Sequence, residues 1–363
     1  MLLMTPGPTR VPEPVLRAGS AAMIHHRDPE FSKLLVSMLG GLRPLFATEG
    51  DVLPIHATGR GAMEAAICNL FSPGDQLLAI CNGRFGEMWA EIAESFGLVA
   101  HRVCTNWDAS ADLNEIESAI DANLQTRALL AVHSDTSTGG LNDIAAISAL
   151  ARSRGLLVLV DSVSSVGGVP MKLDEWGIDM AVTASQKCLM SSPGLSFAAL
   201  SERAWKACEQ SILPRAYFDF RSIRKALNRS QPQTPGTTPV HLVIQVNAAL
   251  SMIHEEGLQA TFARHEEMAL MVRRWVTERG LSLQCPNQKR CSPTLTAIRI
   301  PPKLDPVVVR DRLKARGILI ARGIGRYEKC GVRIGHMGDI RPADVKQTLD
   351  CLDEVFNSLR EDH

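Results

Sequence analysis

Residues 156–165 read Leu-Leu-Val-Leu-Val-Asp-Ser-Val-Ser-Ser. Five apolar side chains stand in a row with no polar alternation. A run of that kind is a strand buried on both faces, as in a parallel sheet covered by helices. It ends in an acid, Asp161, where the chain leaves the strand. Burying a carboxylate there is costly unless it meets a cation.

The same pattern recurs on both sides of this stretch. Residues 52–56, 76–81, 99–103, 128–133, 180–183 and 195–200 read as strands, and 61–70, 86–96, 113–123 and 144–154 as the helices between them. Two long helical patterns follow at 239–254 and 261–279. From about residue 281 the pattern changes to strands at 294–300, 318–321 and 331–334 with helices at 306–316 and 342–359. This alternation predicts an α/β fold, a large domain with a mostly parallel sheet flanked by helices, plus a small C-terminal α+β domain. Residues 221–239 are polar, contain proline and lack periodicity, so they are expected to form a loop with a functional or subunit-contact role.

The 363 residues are 45% hydrophobic, too many for one small core, and 39 basic residues balance 39 acidic ones. A balanced chain gives no reason to expect nucleic acid or an anionic membrane as a partner. No apolar run approaches the roughly 20 residues that span a bilayer, and the start of the chain does not read as a signal peptide. The nine cysteines are scattered without a C-x-x-C pair, so no metal site is expected and cytoplasmic, reduced thiols are.

Open parallel sheets bind ligands at the carboxyl ends of their strands. After the first strand, Ala57-Thr58-Gly59-Arg60-Gly61 opens a helix, and its backbone N–H groups suit a phosphate. The dinucleotide spacing G-x-G-x-x-G is absent, which argues against a dehydrogenase, and no G-x-S-x-G elbow marks a serine hydrolase. Twenty-six residues past Asp161, Ser185-Gln186-Lys187 follows another short strand. An acid at one strand end and a lysine at a nearby one could hold opposite ends of an aromatic aldehyde. Near the C-terminus, Gly331-Val332-Arg333-Ile334-Gly335 presents an arginine whose fork could grip a carboxylate or pair with a structural acid.

In combination these residues resemble the class V aminotransferases of fold type I, particularly the alanine–glyoxylate, serine–pyruvate and 2-aminoethylphosphonate–pyruvate transaminases. The resemblance runs almost end to end, from Thr5-Pro6-Gly7-Pro8-Thr9 through His133–Gly139 and the Asp161 and Lys187 motifs to Arg333. It implies pyridoxal 5'-phosphate bound through a Schiff base to Lys187, with Asp161 at the pyridine nitrogen. It implies Phe85 stacked on the ring and Thr136 near the ring oxygen. Gly59, Arg60 and Gln186 would hold the phosphate, and Thr237 would reach the phosphate of a neighbouring subunit in a homodimer. Arg333 and Gly7 would meet the substrate. The implied domains are an N-terminal arm at the active site (1–14), a large cofactor-binding domain (15–255) and a small C-terminal domain (256–363). The implied reaction moves an amino group from a small amino acid, alanine or serine, to glyoxylate or pyruvate by a ping-pong mechanism.

Fragments of two other subgroups are present. Lys187-Cys188 and Val169-Pro170-Met171 are similar to the phosphonate enzymes, and His336-Met337-Gly338 to pyridoxamine–pyruvate transaminases. A lyase such as a cysteine desulfurase shares the lysine and would need a loop cysteine, for which Cys330 is placed suggestively. His25, His26 and Arg27 form a polar turn before a helix at Pro29 and could also border the site.

Overall fold

Alternate side chains of the buried strands reach opposite sides of one sheet, and each side is roofed by helices. The computed structural model describes residues 1–361. The chain opens on a short strand, β1 (Leu2–Met4). β2 (Asp51–Ile55), β3 (Gln76–Ile80), β4 (Val99–Val103) and β5 (Thr126–Val132) follow with helices between them. A two-residue hairpin, β6 (Ser134–Asp135) with β7 (Gly140–Leu141), comes next. Then come β8 (Leu157–Asp161), β9 (Met180–Ala184) and β10 (Ser196–Leu200). Seven of these form the main sheet in the order β2-β10-β9-β8-β5-β3-β4. β4, β3, β5, β8 and β9 pair in parallel, and β10 runs antiparallel to β9 and β2.

Parity divides the core. Val158 and Val160 of β8, with Leu129 and Ala131 of β5, pack against helices that include Pro29–Phe46, Ile144–Ser153 and Val240–Glu256. Leu159, with Ala128 and Leu130, packs against the other layer, which includes Gly59–Leu70, Arg84–Ser95 and Glu202–Gln210. Strands covered on both faces have no polar side to show, which is why residues 156–160 are uniformly apolar.

The C-terminal part builds a second sheet from β11 (Ser282–Leu283), β12 (Leu295–Arg299), β13 (Ile318–Arg322) and β14 (Gly331–Gly335). Its order is β1-β13-β14-β12-β11, so the chain's first strand is an edge of its last sheet, parallel to β13. The helices Leu258–Glu278, Pro306–Ala315 and Pro342–Glu361 pack on it around Trp275, Leu313 and Phe356.

One expectation is corrected. Residues 221–239 are not all loop, because Phe220–Leu227 is a helix capped by Asp219, whose carboxylate accepts from Arg221 N–H. Phe220, Ile223 and Ala226 are its buried face, a three-residue spacing that a search confined to long patterns passes over. The remainder, 228–239, is irregular and is tethered by Arg27, whose guanidinium donates to the carbonyls of Thr234 and Pro235. Among the described residues no helix is long and apolar enough to cross a membrane.

Candidate active site

The carboxyl ends of β2, β3, β5, β8 and β9 lie on one rim of the main sheet, as their shared direction requires. A cavity of about 380 Å³ opens there. Gly7, Gly59, Arg60, Phe85, Asp161, Gln186 and Lys187 all border it. Seven residues singled out from the sequence are thus brought together.

Asp161 ends β8 and is buried. Val163 N–H donates to its Oδ1 at 2.9 Å. Burial pushes its carboxyl up to about 7, and the nearby Asp135 adds to the rise while Lys187 and the Val163 bond oppose it. Lys187 follows β9 by three residues, and its Nζ donates to the carbonyl of Pro6. Burial brings its amine down to about 8, helped by Arg333 and opposed by Asp161. Removal from water weakens both charges, and the two groups share one cavity, which makes them candidates for its chemistry.

The strand ends supply the rest. After β2, Thr58 caps the helix Gly59–Leu70 in position only, since its side chain makes no capping bond. The start of that helix is thus left without a side-chain cap, and Thr58, Gly59 and Arg60 border the cavity there. Gly59 is a glycine for space, because a Cβ there would lie 2.6 Å from Val163. Gly7 has φ +125°, and a Cβ on it would overlap the side chain of Lys187. Only glycine lets the N-terminal arm pass this close to the lysine. Thr9 pins the arm from the other side, with N–H to the Gln186 carbonyl at 3.0 Å and Oγ1 to the Lys187 carbonyl at 3.0 Å.

Arg333 lies on β14, next to the cavity rather than in its wall. Its Nε donates to the Arg322 carbonyl at 2.7 Å and its Nη1 to the Thr136 carbonyl at 3.1 Å. It pairs with no carboxylate among the described residues, and burial lowers its pKa to about 10. This half-buried guanidinium is held by two carbonyls and keeps further N–H donors beyond those two bonds. Thr136 is buried, and what it gives the site directly is its carbonyl. Thr237 is exposed and borders a different cavity of about 280 Å³, with His56, Tyr217 and Phe218.

Thr58, Ser134 and Val163, which belong to the quoted motifs but were given no role of their own, also border the cavity, as do Met63 and Met88. Asp135, a buried carboxylate inside the quoted stretch His133–Gly139, was likewise given no role from the sequence. An acid inside a buried strand–turn was the available signal. Two subgroup fragments are turned away from the site. His336 is buried with Nε2 on the Thr296 hydroxyl at 2.9 Å, and Cys188 packs with Leu295 and Met337. Cys330 is exposed with its thiol toward the Tyr327 carbonyl, and it does not border the cavity.

The residues present fit pyridoxal phosphate: an acid and a lysine border one cavity, with an uncapped helix start beside them for the phosphate. Comparisons with known proteins agree. The family model described as aminotransferase class-V matches residues 2–337. The chain is 36% identical to a Synechococcus protein named the small subunit of a soluble hydrogenase, over 99% of this chain and 93% of that one. It is 36% identical to an L-aspartate–glyoxylate aminotransferase of Paracoccus denitrificans, over 98% and 91% of the two chains. Its fold superposes on the crystal structure of an alanine–glyoxylate aminotransferase from Nostoc with a TM-score of 0.92 at 32% identity, covering 98% and 95%.

Proposed function

The chain belongs to the class-V aminotransferase family, and from that premise we propose that it moves the amino group of alanine or serine to glyoxylate or pyruvate. It is a pyridoxal-phosphate-dependent aminotransferase of fold type I. The donor, the acceptor and the roles of single residues are our reading.

When bound, the cofactor supplies an electron sink for the pair left on the substrate Cα. Asp161 would hold the pyridine nitrogen protonated. Its raised pKa is that of a carboxylate waiting for a cation, and the ring would be that cation. Lys187 would bond the aldehyde and then carry the proton at Cα. An amine near pKa 8 is partly neutral at working pH and can do both. Gly59, Arg60 and Gln186 would hold the phosphate with the helix start, and Phe85 would pack on the ring face. Thr136 would sit near the ring oxygen. Arg333 would take the substrate carboxylate in two parallel bonds, with Gly7 leaving room for it.

One observation carries this reading. Asp161 and Lys187 leave adjacent parallel strands and border one cavity, each drawn toward neutrality by the same burial. We further propose cytoplasmic homodimers, with Thr237 reaching the partner's phosphate, and a division into an arm (1–14), a large domain (15–255) and a small domain (256–363). What supports the division is packing. Val240–Glu256 lies on Pro29–Phe46, while Leu258–Glu278 lies on Pro342–Glu361.

The test uses the purified protein loaded with pyridoxal phosphate. Alanine with glyoxylate should give pyruvate and glycine, and serine should give hydroxypyruvate. Changing Lys187 to Ala should remove both products. Turnover confined to aspartate, pyridoxamine or 2-aminoethylphosphonate would replace the proposed donors.

A further inference from the structure

We propose that Asp135 is a positioning residue of this site, fixing Phe85 in the wall of the cavity and Arg333 next to it through a single turn. The proposal rests on the site reading above.

Asp135 is 2% exposed and forms no salt bridge among the described residues. A buried carboxylate without a cation has to be repaid in hydrogen bonds. Its Oδ2 accepts Phe85 N–H at 3.0 Å, and its Oδ1 accepts Ser137 N–H at 2.8 Å together with the Ser137 hydroxyl. The Ser137 oxygen in turn accepts Arg84 N–H at 2.9 Å. Arg84 and Phe85 are the first residues of the helix Arg84–Ser95, whose own cap residue, Gly83, offers no side chain. Asp135 and the turn after it therefore cap that helix from outside. Burial pushes the Asp135 carboxyl up, and the bonds it accepts from Ser137 and Phe85, at the positive end of the helix dipole, oppose that rise.

The fit leaves no slack. A Cβ on Gly83 would overlap the Asp135 carboxylate. Gly83 has φ −177°, extended backbone open to any residue, so the glycine is there for space alone. Phe85 borders the cavity, so a carboxylate that holds its backbone also sets where its ring stands.

The same turn also reaches Arg333, next to the cavity. The next residue, Thr136, gives its carbonyl to Arg333 Nη1 at 3.1 Å. Asp135 is also the charge that opposes the effect of burial on Arg333. Moving this turn would shift a ring-packing residue and a carboxylate-binding residue together, with neither Lys187 nor Asp161 altered.

The experiment compares Asp135→Asn with wild type. Asn keeps the shape, loses the charge and cannot accept at both oxygens. Loss of charge-assisted bonds of this kind is worth about tenfold or more in binding. We expect the dissociation constant for pyridoxal phosphate, measured on the cofactor-free protein by fluorescence quenching, to rise about tenfold. The visible circular dichroism of the bound cofactor should change, and KM for amino donor and oxo acid should rise more than kcat falls. Wild-type values for all three in a variant that melts like wild type would overturn the proposal. So would a loss confined to kcat. If Asp135→Asn does not fold, Gly83→Ala presses on the same carboxylate without removing it and should show the same triad of effects. Wild-type values there overturn the proposal equally. Failure of the wild-type protein to take up pyridoxal phosphate would instead strike the site reading itself.

Discussion

Asp161 and Lys187 carry charges that their surroundings resist, and that tension has a measurable pH dependence in the cofactor-free protein. The folded Asp161 holds its proton up to about pH 7, whereas an unfolded aspartate loses it near 4. The native state thus binds more protons over that interval, and its stability falls as pH rises through it. Lys187 works the other way. Its folded pKa of about 8 lies below the unfolded value near 10.4, so its penalty is full below pH 8 and is relieved as pH climbs toward 10. Replacing Asp161 by Asn removes the first effect. In urea unfolding of the cofactor-free proteins, the variant should gain on wild type between pH 5 and 8, by roughly 4 kcal/mol at the upper end. Turnover should fall by orders of magnitude in the same variant. A stability difference that does not change with pH would sink the burial argument. Arg333 gives a second prediction at this scale. Lysine has neither the fork nor the reach to keep both carbonyl contacts, so Arg333→Lys should raise KM for both substrates about tenfold to a hundredfold, with a smaller fall in kcat. Lys187, Asp161 and Arg333 could be singled out in the sequence by their side-chain chemistry, and the fold brings the first two to one cavity with Arg333 next to it. Asp135, Thr58 and the carbonyl of Thr136 were given no role there, because they act through backbone groups whose position only the fold reveals.

The strands and helices of the main sheet were legible because each has one dominant requirement, burial on two faces or on one stripe. The strand read at 156–160 is Leu157–Asp161 and the helix read at 61–70 is Gly59–Leu70. What eluded the sequence were elements whose partners lie far away in the chain. β1 has three residues and no pattern of its own, and it exists because β13, more than three hundred residues later, offers an unpaired edge. That pairing matters for the site. β1 anchors the arm to the C-terminal sheet, and residues 6–9 then cross to Lys187. Gly7 is the narrow point. Gly7→Ala would place a methyl where the lysine lies and force an L-residue to φ +125°, a strain of about 1–3 kcal/mol. We expect cofactor incorporation at fixed pyridoxal phosphate to drop at least about tenfold, while the melting temperature falls only a few degrees. Normal incorporation would show that the arm yields and does not define the lysine's position.

Nothing at residue or element scale accounts for Thr237. It lies on a segment held by Arg27, faces solvent, and borders a cavity separate from that of Lys187. A polar loop fixed by the half-buried Arg27 yet open to solvent is what the proposed dimer would use. In a two-fold dimer, each copy would offer its loop to the other's site. Hybrid dimers test this. Lys187→Ala kills its own site, and Thr237→Val weakens whichever site the loop serves. If the loop crosses to the partner, a hybrid of the two variants has one site with both lesions and one with none. Equal mixing gives half hybrids, so activity at limiting cofactor should recover to about a quarter of wild type. If the loop serves its own subunit, every site in the mixture carries a lesion and no recovery follows. A mixture that stays at the mean of its two parents, in a preparation shown by sedimentation to contain hybrids, would remove Thr237 from the partner's phosphate.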